Sequence, residues 1–296
     1  MFKIQLRRRH AGLAASACAL AVLALAGCGG GTDAGVVRDK GTSTSLHMSC
    51  TGACVQSDTL TAGQMEAHFT VVDNGKKAQA QAGFFDGFTL GYNVELEGDT
   101  LYFVQGGVAT QMGLPISPGA GIKVHDAAPF SPYVMDFPQV PATAVSMQFE
   151  LRRAGQTLTS QTSLPAPFNI VSPADNTTVS KASNAVALQL DAALPQAAWT
   201  VEHSQCRDTS NVPHVQIGNG SVSAFSTDDG RNVQFHAADF MASLQFKDAN
   251  GNPLALASCD FVLQAAVTNG GTLADGFEMG SSVSAVQLRQ VTVLAR

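Results

Sequence analysis

Glu66-Ala67-His68-Phe69-Thr70-Val71-Val72-Asp73-Asn74-Gly75 is the stretch that decides the fold. Its first seven residues are rich in β-branched and aromatic types, which fit a pleated, half-buried surface. Asn-Gly then supplies the left-handed backbone of a tight hairpin. The next residues, Lys77-Ala78-Gln79-Ala80-Gln81-Ala82, alternate long polar and small apolar side chains, the pattern of a returning strand with one wet face.

The same grammar continues outward. Asn93-Val94-Glu95-Leu96 and Leu101-Tyr102-Phe103-Val104 flank Glu97-Gly98-Asp99, which predicts a second hairpin. Ala144 to Leu151 alternates throughout. Between Gly106 and Pro141 glycine and proline are frequent, predicting loops or short edge strands. Beyond the N-terminal segment, no window longer than about eleven residues carries a helical apolar stripe. The chain reads as all-β.

Leu164-Pro165-Ala166-Pro167-Phe168 is the best domain boundary, because two closely spaced prolines resist both helix and sheet interior. Strands are predicted after it at Ile170-Val171, Ala185 to Leu190, Trp199-Thr200-Val201-Glu202, Asn232 to Phe235, Ser243-Leu244-Gln245-Phe246, Phe261 to Val267 and Val283 to Leu294. Some seven strands in about 130 residues, separated by turn signals, fit an antiparallel sandwich. The expected organisation is two tandem antiparallel β-sandwich domains, 48–164 and 165–296, behind an N-terminal segment 1–27 and a Gly/Thr/Ser-rich tether at 28–47.

Pro167-Phe168-Asn169-Ile170-Val171-Ser172-Pro173, the strand bearing Trp199 and the closing strand pair make the second half resemble the immunoglobulin-like β-sandwich domains of bacterial surface lipoproteins. It departs from antibody domains. Cys206 is read as lying after the Trp199 strand, and Ala257, not Tyr, stands two residues before Cys259. The resemblance implies fold alone, since sandwiches host many functions.

The N-terminus has three parts. Lys3, Arg7, Arg8 and Arg9 are basic, Leu13 to Leu25 is apolar, and the small residues Ala26 and Gly27 precede Cys28. This is the layout of an export signal. The apolar run is shorter than the roughly 20 residues of a spanning helix. Leu25-Ala26-Gly27-Cys28 resembles the lipidation motif of bacterial lipoproteins. The resemblance implies cleavage before Cys28, acylation of its thiol, and stable anchoring by several acyl chains. Gly29 rather than Asp after the cysteine implies sorting to the outer membrane. A twin-arginine route is disfavoured, because His10-Ala11-Gly12 lacks a bulky apolar pair.

The full chain carries 17 basic and 23 acidic residues. Loss of 1–27 removes four basic residues and leaves residues 28–296 at −10. Such a surface is not built to seek nucleic acid or anionic lipid, so membrane contact falls to the lipid on Cys28. Cys50, Cys54, Cys206 and Cys259 remain in the exported part, an even number in an oxidising compartment. Three pairings are possible, of which Cys50–Cys54 and Cys206–Cys259 are expected.

Catalytic signatures are sparse. Gly218-Asn219-Gly220-Ser221-Val222 approaches but does not match a serine-hydrolase elbow. Asp248-Ala249-Asn250-Gly251-Asn252 opens like a calcium loop, yet Pro253 and Cys259 occupy the positions that loop needs for Gly and Glu. That stretch and Asp228-Asp229-Gly230 read as turns. His203, Cys206 and His214, with His236 beyond, form a metal-like spacing that a disulfide at Cys206 would disarm. Phe84-Phe85-Asp86-Gly87-Phe88 with Tyr92 reads as core. No catalytic residue, metal or cofactor is assigned. The expected function is a lipid-anchored envelope protein, facing periplasm or cell surface, that is structural, adhesive or ligand-presenting, with an envelope protein or glycan as partner. The alternative is a periplasmic hydrolase-type enzyme whose site is assembled from dispersed loops.

Overall fold

The computed structural model describes residues 36–38, 44–46, 54–87, 93–113, 133–138, 143–182, 185–217, 224–227, 229–244 and 246–296. The first half contains β1 (Val36–Arg38), β2 (Thr44–Leu46), β3 (Cys54–Gln56), β4 (Met65–Asp73), β5 (Ala78–Asp86), β6 (Asn93–Glu95), β7 (Thr100–Gln105), β8 (Val108–Gln111), β9 (Tyr133–Phe137), β10 (Val145–Arg153) and β11 (Gln156–Leu164). The second contains β12 (Ile170–Ser172), β13 (Thr177–Val179), β14 (Val186–Leu190), β15 (Ala198–Asp208), β16 (Pro213–Ile217), β17 (Phe225–Thr227), β18 (Asn232–Phe235), α1 (Ala237–Ser243), β19 (Leu256–Gly270) and β20 (Ser282–Ala295). The fold is all-β, built as packed sheets. Within the stretch read as a tether, β1 and β2 pair with each other, Val36 opposite Leu46.

The opening stretch forms β4, and Asp73-Asn74-Gly75 turns it into β5. Asn74 N–H donates to the Lys77 carbonyl at 3.1 Å, and Asn74 Oδ1 accepts from Lys76 and Lys77 N–H at 3.0 and 2.9 Å. Alternation along β4 buries Met65, Ala67, Phe69 and Val71 against a second sheet, ordered β11-β10-β7-β8. Phe69 stacks on Phe149 of that sheet at 4.9 Å between ring centroids. β11 escapes a sequence reading because it is mostly Thr, Ser and Gln. Only Ser160, Thr162 and Leu164 of it are buried.

Glu97-Gly98-Asp99 is not a hairpin: β6 pairs with β5 and β3, whereas β7 pairs with β10 and β8 in the other sheet. The turn crosses between layers because its surroundings hold it there. Tyr133 Oη accepts Leu96 N–H at 2.8 Å, and Arg153, which approaches Asp99 at 3.6 Å, also donates to the Ser57 and Leu60 carbonyls. Nor is there a strand beginning at Ser243. Ala237 to Ser243 is helical instead, burying Ala237 and Phe240, with Phe240 edge-on to Phe261. Ala and Met favour helix, and the Phe has a core to enter.

The second sandwich places β12-β14-β18-β17 over β16-β15-β19-β20, with Phe235 of one sheet packed T-shaped on Phe261 of the other at 5.4 Å. The two halves are not separate at 164/165. β20 pairs antiparallel with β19 along nearly its full length, and its first six residues, 282–287, pair parallel with β4. One ten-stranded sheet therefore runs through both sandwiches. On a single face of β20, Val283 and Ala285 enter the first core while Val291, Val293 and Ala295 enter the second. Gln287 and Arg289 lie between. Gln287 is fully buried and donates to the Pro165 carbonyl at 3.1 Å and to Asp73 Oδ2 at 3.4 Å. Arg289 donates to the Asp73 carbonyl at 3.2 Å and sits over the Phe168 ring. Gly75, at φ +80°, leaves room for it, since a Cβ there would lie 3.0 Å from Arg289 Nε.

Residues 165–296 expressed alone should therefore expose the β4-facing edge of residues 282–287, an open template for pairing. Gel filtration should find concentration-dependent association of the fragment, with the full chain at a single size. A monomeric fragment that melts cooperatively at the temperature of the full chain would refute this dependence.

Candidate functional site

Cys206 and Cys259 face each other in register on the adjacent strands β15 and β19 and are disulfide-bonded, both fully buried. Closing a loop across a sequence separation of 53 stabilises by about 4 kcal/mol in the chain-entropy view. Trp199 and Cys206 lie on the same strand, which runs on through a bulge after Val201, so the bridge lies within one sheet. Cys28, Cys50 and the Cys50–Cys54 pairing lie outside the described residues, as do Asp228, Phe88 and Tyr92.

The metal-like spacing is dispersed. The Cys206 sulfur is committed, His214 Nε2 meets Asp208 Oδ2 at 3.1 Å, and His236 Nε2 meets Ser226 Oγ at 3.1 Å. Among the described residues no three His, Cys, Asp or Glu side chains gather as a metal site. Asp248 closes a turn, accepting Asn250 and Asn252 N–H at 2.9 and 2.8 Å. Phe84 is core, and Phe85 is partly exposed against His68.

A shallow polar depression of about 150 Å³ opens on β17 and β18, lined by Ser226, Thr227, Asp229, Asn232 and Gln234. Its floor follows from strand alternation: β18 buries Val233 and Phe235 and turns Asn232 and Gln234 away from the core. Its rim is a turn fixed by Asp229. Oδ1 accepts Arg231 and Asn232 N–H at 2.8 and 2.7 Å, and Oδ2 accepts the Asn232 amide at 2.8 Å. Thr227 Oγ1 accepts Gly230 N–H at 3.0 Å and donates to the Asn232 carbonyl at 3.1 Å. Among the described residues the Gln234 amide has no hydrogen-bond partner. Asp229 is the turn residue expected from Asp228-Asp229-Gly230, but the depression beside it is not evident from that turn. Alternation around Asn232 to Phe235 was the available signal.

Asn232 N–H, followed by Arg231 N–H, holds the Asp229 carboxyl below the usual carboxylate range. Asp248 is lowered by Asn252 N–H, and Asp208 by His214 and then by Val212 N–H. The same local chemistry recurs at three turns: an aspartate accepts backbone N–H groups two to four residues ahead.

Neither a protein-family model nor a curated protein matches the chain. Among solved structures it is similar to a variant of Kfla1895 in complex with cyclobis-(1→6)-α-nigerosyl, at 10% identity and TM-score 0.24, covering 73% of this chain and 30% of that one. The same variant with isomaltose gives 9% identity and TM-score 0.23, covering 72% and 30%. The C-terminal domain of the Streptococcus agalactiae AgI/II polypeptide BspA gives 11% identity and TM-score 0.18, covering 77% and 98%. The chain thus spans less than a third of the Kfla1895 chains. At these scores none of the likenesses bears on fold or activity.

The turn aspartates make stability depend on pH. Their folded carboxyls titrate below the unfolded value of about 3.9, so their contribution is present above that value and is lost as pH falls through the folded one. Melting temperature should be level from pH 7 to 5 and drop below about pH 4. Asp229→Asn should flatten part of that drop. A profile unchanged by this substitution would remove Asp229 from the explanation.

Proposed function

We propose that this is an exported, lipid-anchored envelope protein whose second sandwich recognises a hydroxyl-rich ligand, a glycan, at the β17–β18 depression. The observation that carries the reading is the lining itself. Amide and hydroxyl groups are presented on a surface already fixed by the Asp229 turn, so little ordering entropy is lost on binding. The Gln234 amide offers both donor and acceptor to neighbouring hydroxyls. Support for export comes from the buried Cys206–Cys259 bridge, which suits an oxidising compartment, and from the basic and apolar N-terminus that ends at Cys28. A shallow, open surface suits display to a large partner.

Two measurements test this reading. Binding of the purified protein to an array of envelope glycans should single out a ligand whose affinity falls about tenfold in Gln234→Ala, as expected for one lost hydrogen bond of about 1.4 kcal/mol. The variant should melt like the parent, because the Gln234 amide has no partner among the described residues. No binding, or binding indifferent to the substitution, would reject the site. Separately, Cys28→Ser should leave the membrane fraction or accumulate unprocessed. A variant that matures and fractionates like the parent would end the lipid-anchor reading.

A further inference from the structure

The seam between β4 and β20 carries a serine, a histidine and a carboxylate in hydrogen-bonded sequence. Glu66 and His68 are two residues apart on β4, on the face opposite the core residues Met65, Ala67 and Phe69. Parallel pairing sets Ser282 directly beside His68. Ser282 Oγ lies 3.0 Å from His68 Nδ1, and His68 Nε2 lies 3.0 Å from Glu66 Oε1. In the neutral imidazole, a carboxylate that only accepts places the ring proton on Nε2 and leaves the Nδ1 lone pair facing Ser282. The Ser282 hydroxyl therefore donates to Nδ1, which is the polarity of an activated nucleophile.

The surroundings hold this geometry. The His68 ring is edge-on to Phe85, with centroids 5.6 Å apart. Ser281 Oγ accepts Ala67 N–H at 2.9 Å, fixing the residue before Ser282 onto β4. Gly280, at φ +105°, lets the Glu66 carboxylate lie directly over its backbone, for a Cβ there would come 2.6 Å from Oε1. Ser282 is exposed, while Glu66 and His68 are partly buried.

We infer that Ser282 is a nucleophile activated by His68, that Glu66 positions the imidazole, and that the substrates are small acyl esters reaching the open sheet face. Ser282 Oγ attacks the ester carbonyl, forming the Oγ–C bond, as its proton passes to His68 Nδ1. The C–O bond to the alcohol breaks, and that oxygen takes the proton from Nδ1. Water then attacks the acylated serine and gives a proton to Nδ1. The acid departs and Ser282 regains its proton, so the net change is ester plus water to acid plus alcohol. Glu66 stays ionised, paired with the Nε2–H of the transient imidazolium.

The test is covalent labelling of the purified full chain by a fluorophosphonate, with the adduct mapped by mass spectrometry, alongside hydrolysis of p-nitrophenyl acetate. The adduct should fall on Ser282 and vanish in Ser282→Ala. His68→Ala should slow labelling at least about 100-fold. Glu66→Gln keeps an acceptor of equal size but removes the charge, and should slow labelling at least about tenfold while melting like the parent. Should His68→Ala fail to fold, the Ser282→Ala and Glu66→Gln arms decide. Absence of an adduct in the parent, or labelling of Ser282 at a rate unchanged by Glu66→Gln, overturns the inference.

Discussion

The last strand holds the molecule together. β20 is the final partner of β19 and, through its first six residues, the partner of β4, a strand more than two hundred positions earlier. Neither core closes without it. At the crossing, a row of otherwise apolar inward positions is interrupted by Gln287 and Arg289, both served by Asp73 from the first hairpin. Burial disfavours the charged guanidinium of Arg289 and the Asp73 charge opposes that effect. Buried polar groups of this kind are costly to leave unpaired, and separating a buried ion pair costs about 3–5 kcal/mol. The knot therefore fixes the register of β20 against β4 more sharply than interchangeable aliphatic contacts would.

The disulfide acts at the other end of the same sheet. It joins β15 to β19 within one layer, while Phe235, Phe240 and Phe261 pack on one another between the layers. The bridge constrains strand pairing, and aromatic packing joins the layers.

Both surface features grow from strand alternation. Where a sheet buries one face, the opposite side chains are presented in fixed rows about two residues apart. On β18 the row gives Asn232 and Gln234 beside the Asp229 turn, and on β4 it gives Glu66 and His68 beside Ser282. Neither lies in a deep cleft. The depression is lined by amide, hydroxyl and carboxylate groups, and the serine of the seam is exposed.

Alternation in Glu66 to Val72, the Asn-Gly turn and the repeated strand signals were enough to read the all-β class, because period-two patterning is local chemistry. Cysteine parity pointed to the Cys206–Cys259 pairing on the same local terms. The sequence did not reveal that residues 282–287 complete the first sandwich, that Glu97-Gly98-Asp99 crosses between layers, or that Thr- and Ser-rich β11 is a strand. Each depends on partners supplied by distant segments. The same holds for Ser282, whose hydroxyl meets His68 only because β20 pairs with β4. A sequence displays each residue's chemistry and its near neighbours. Contacts across two hundred residues are settled by which sheet edges remain to be covered, and that is decided only when the whole chain packs.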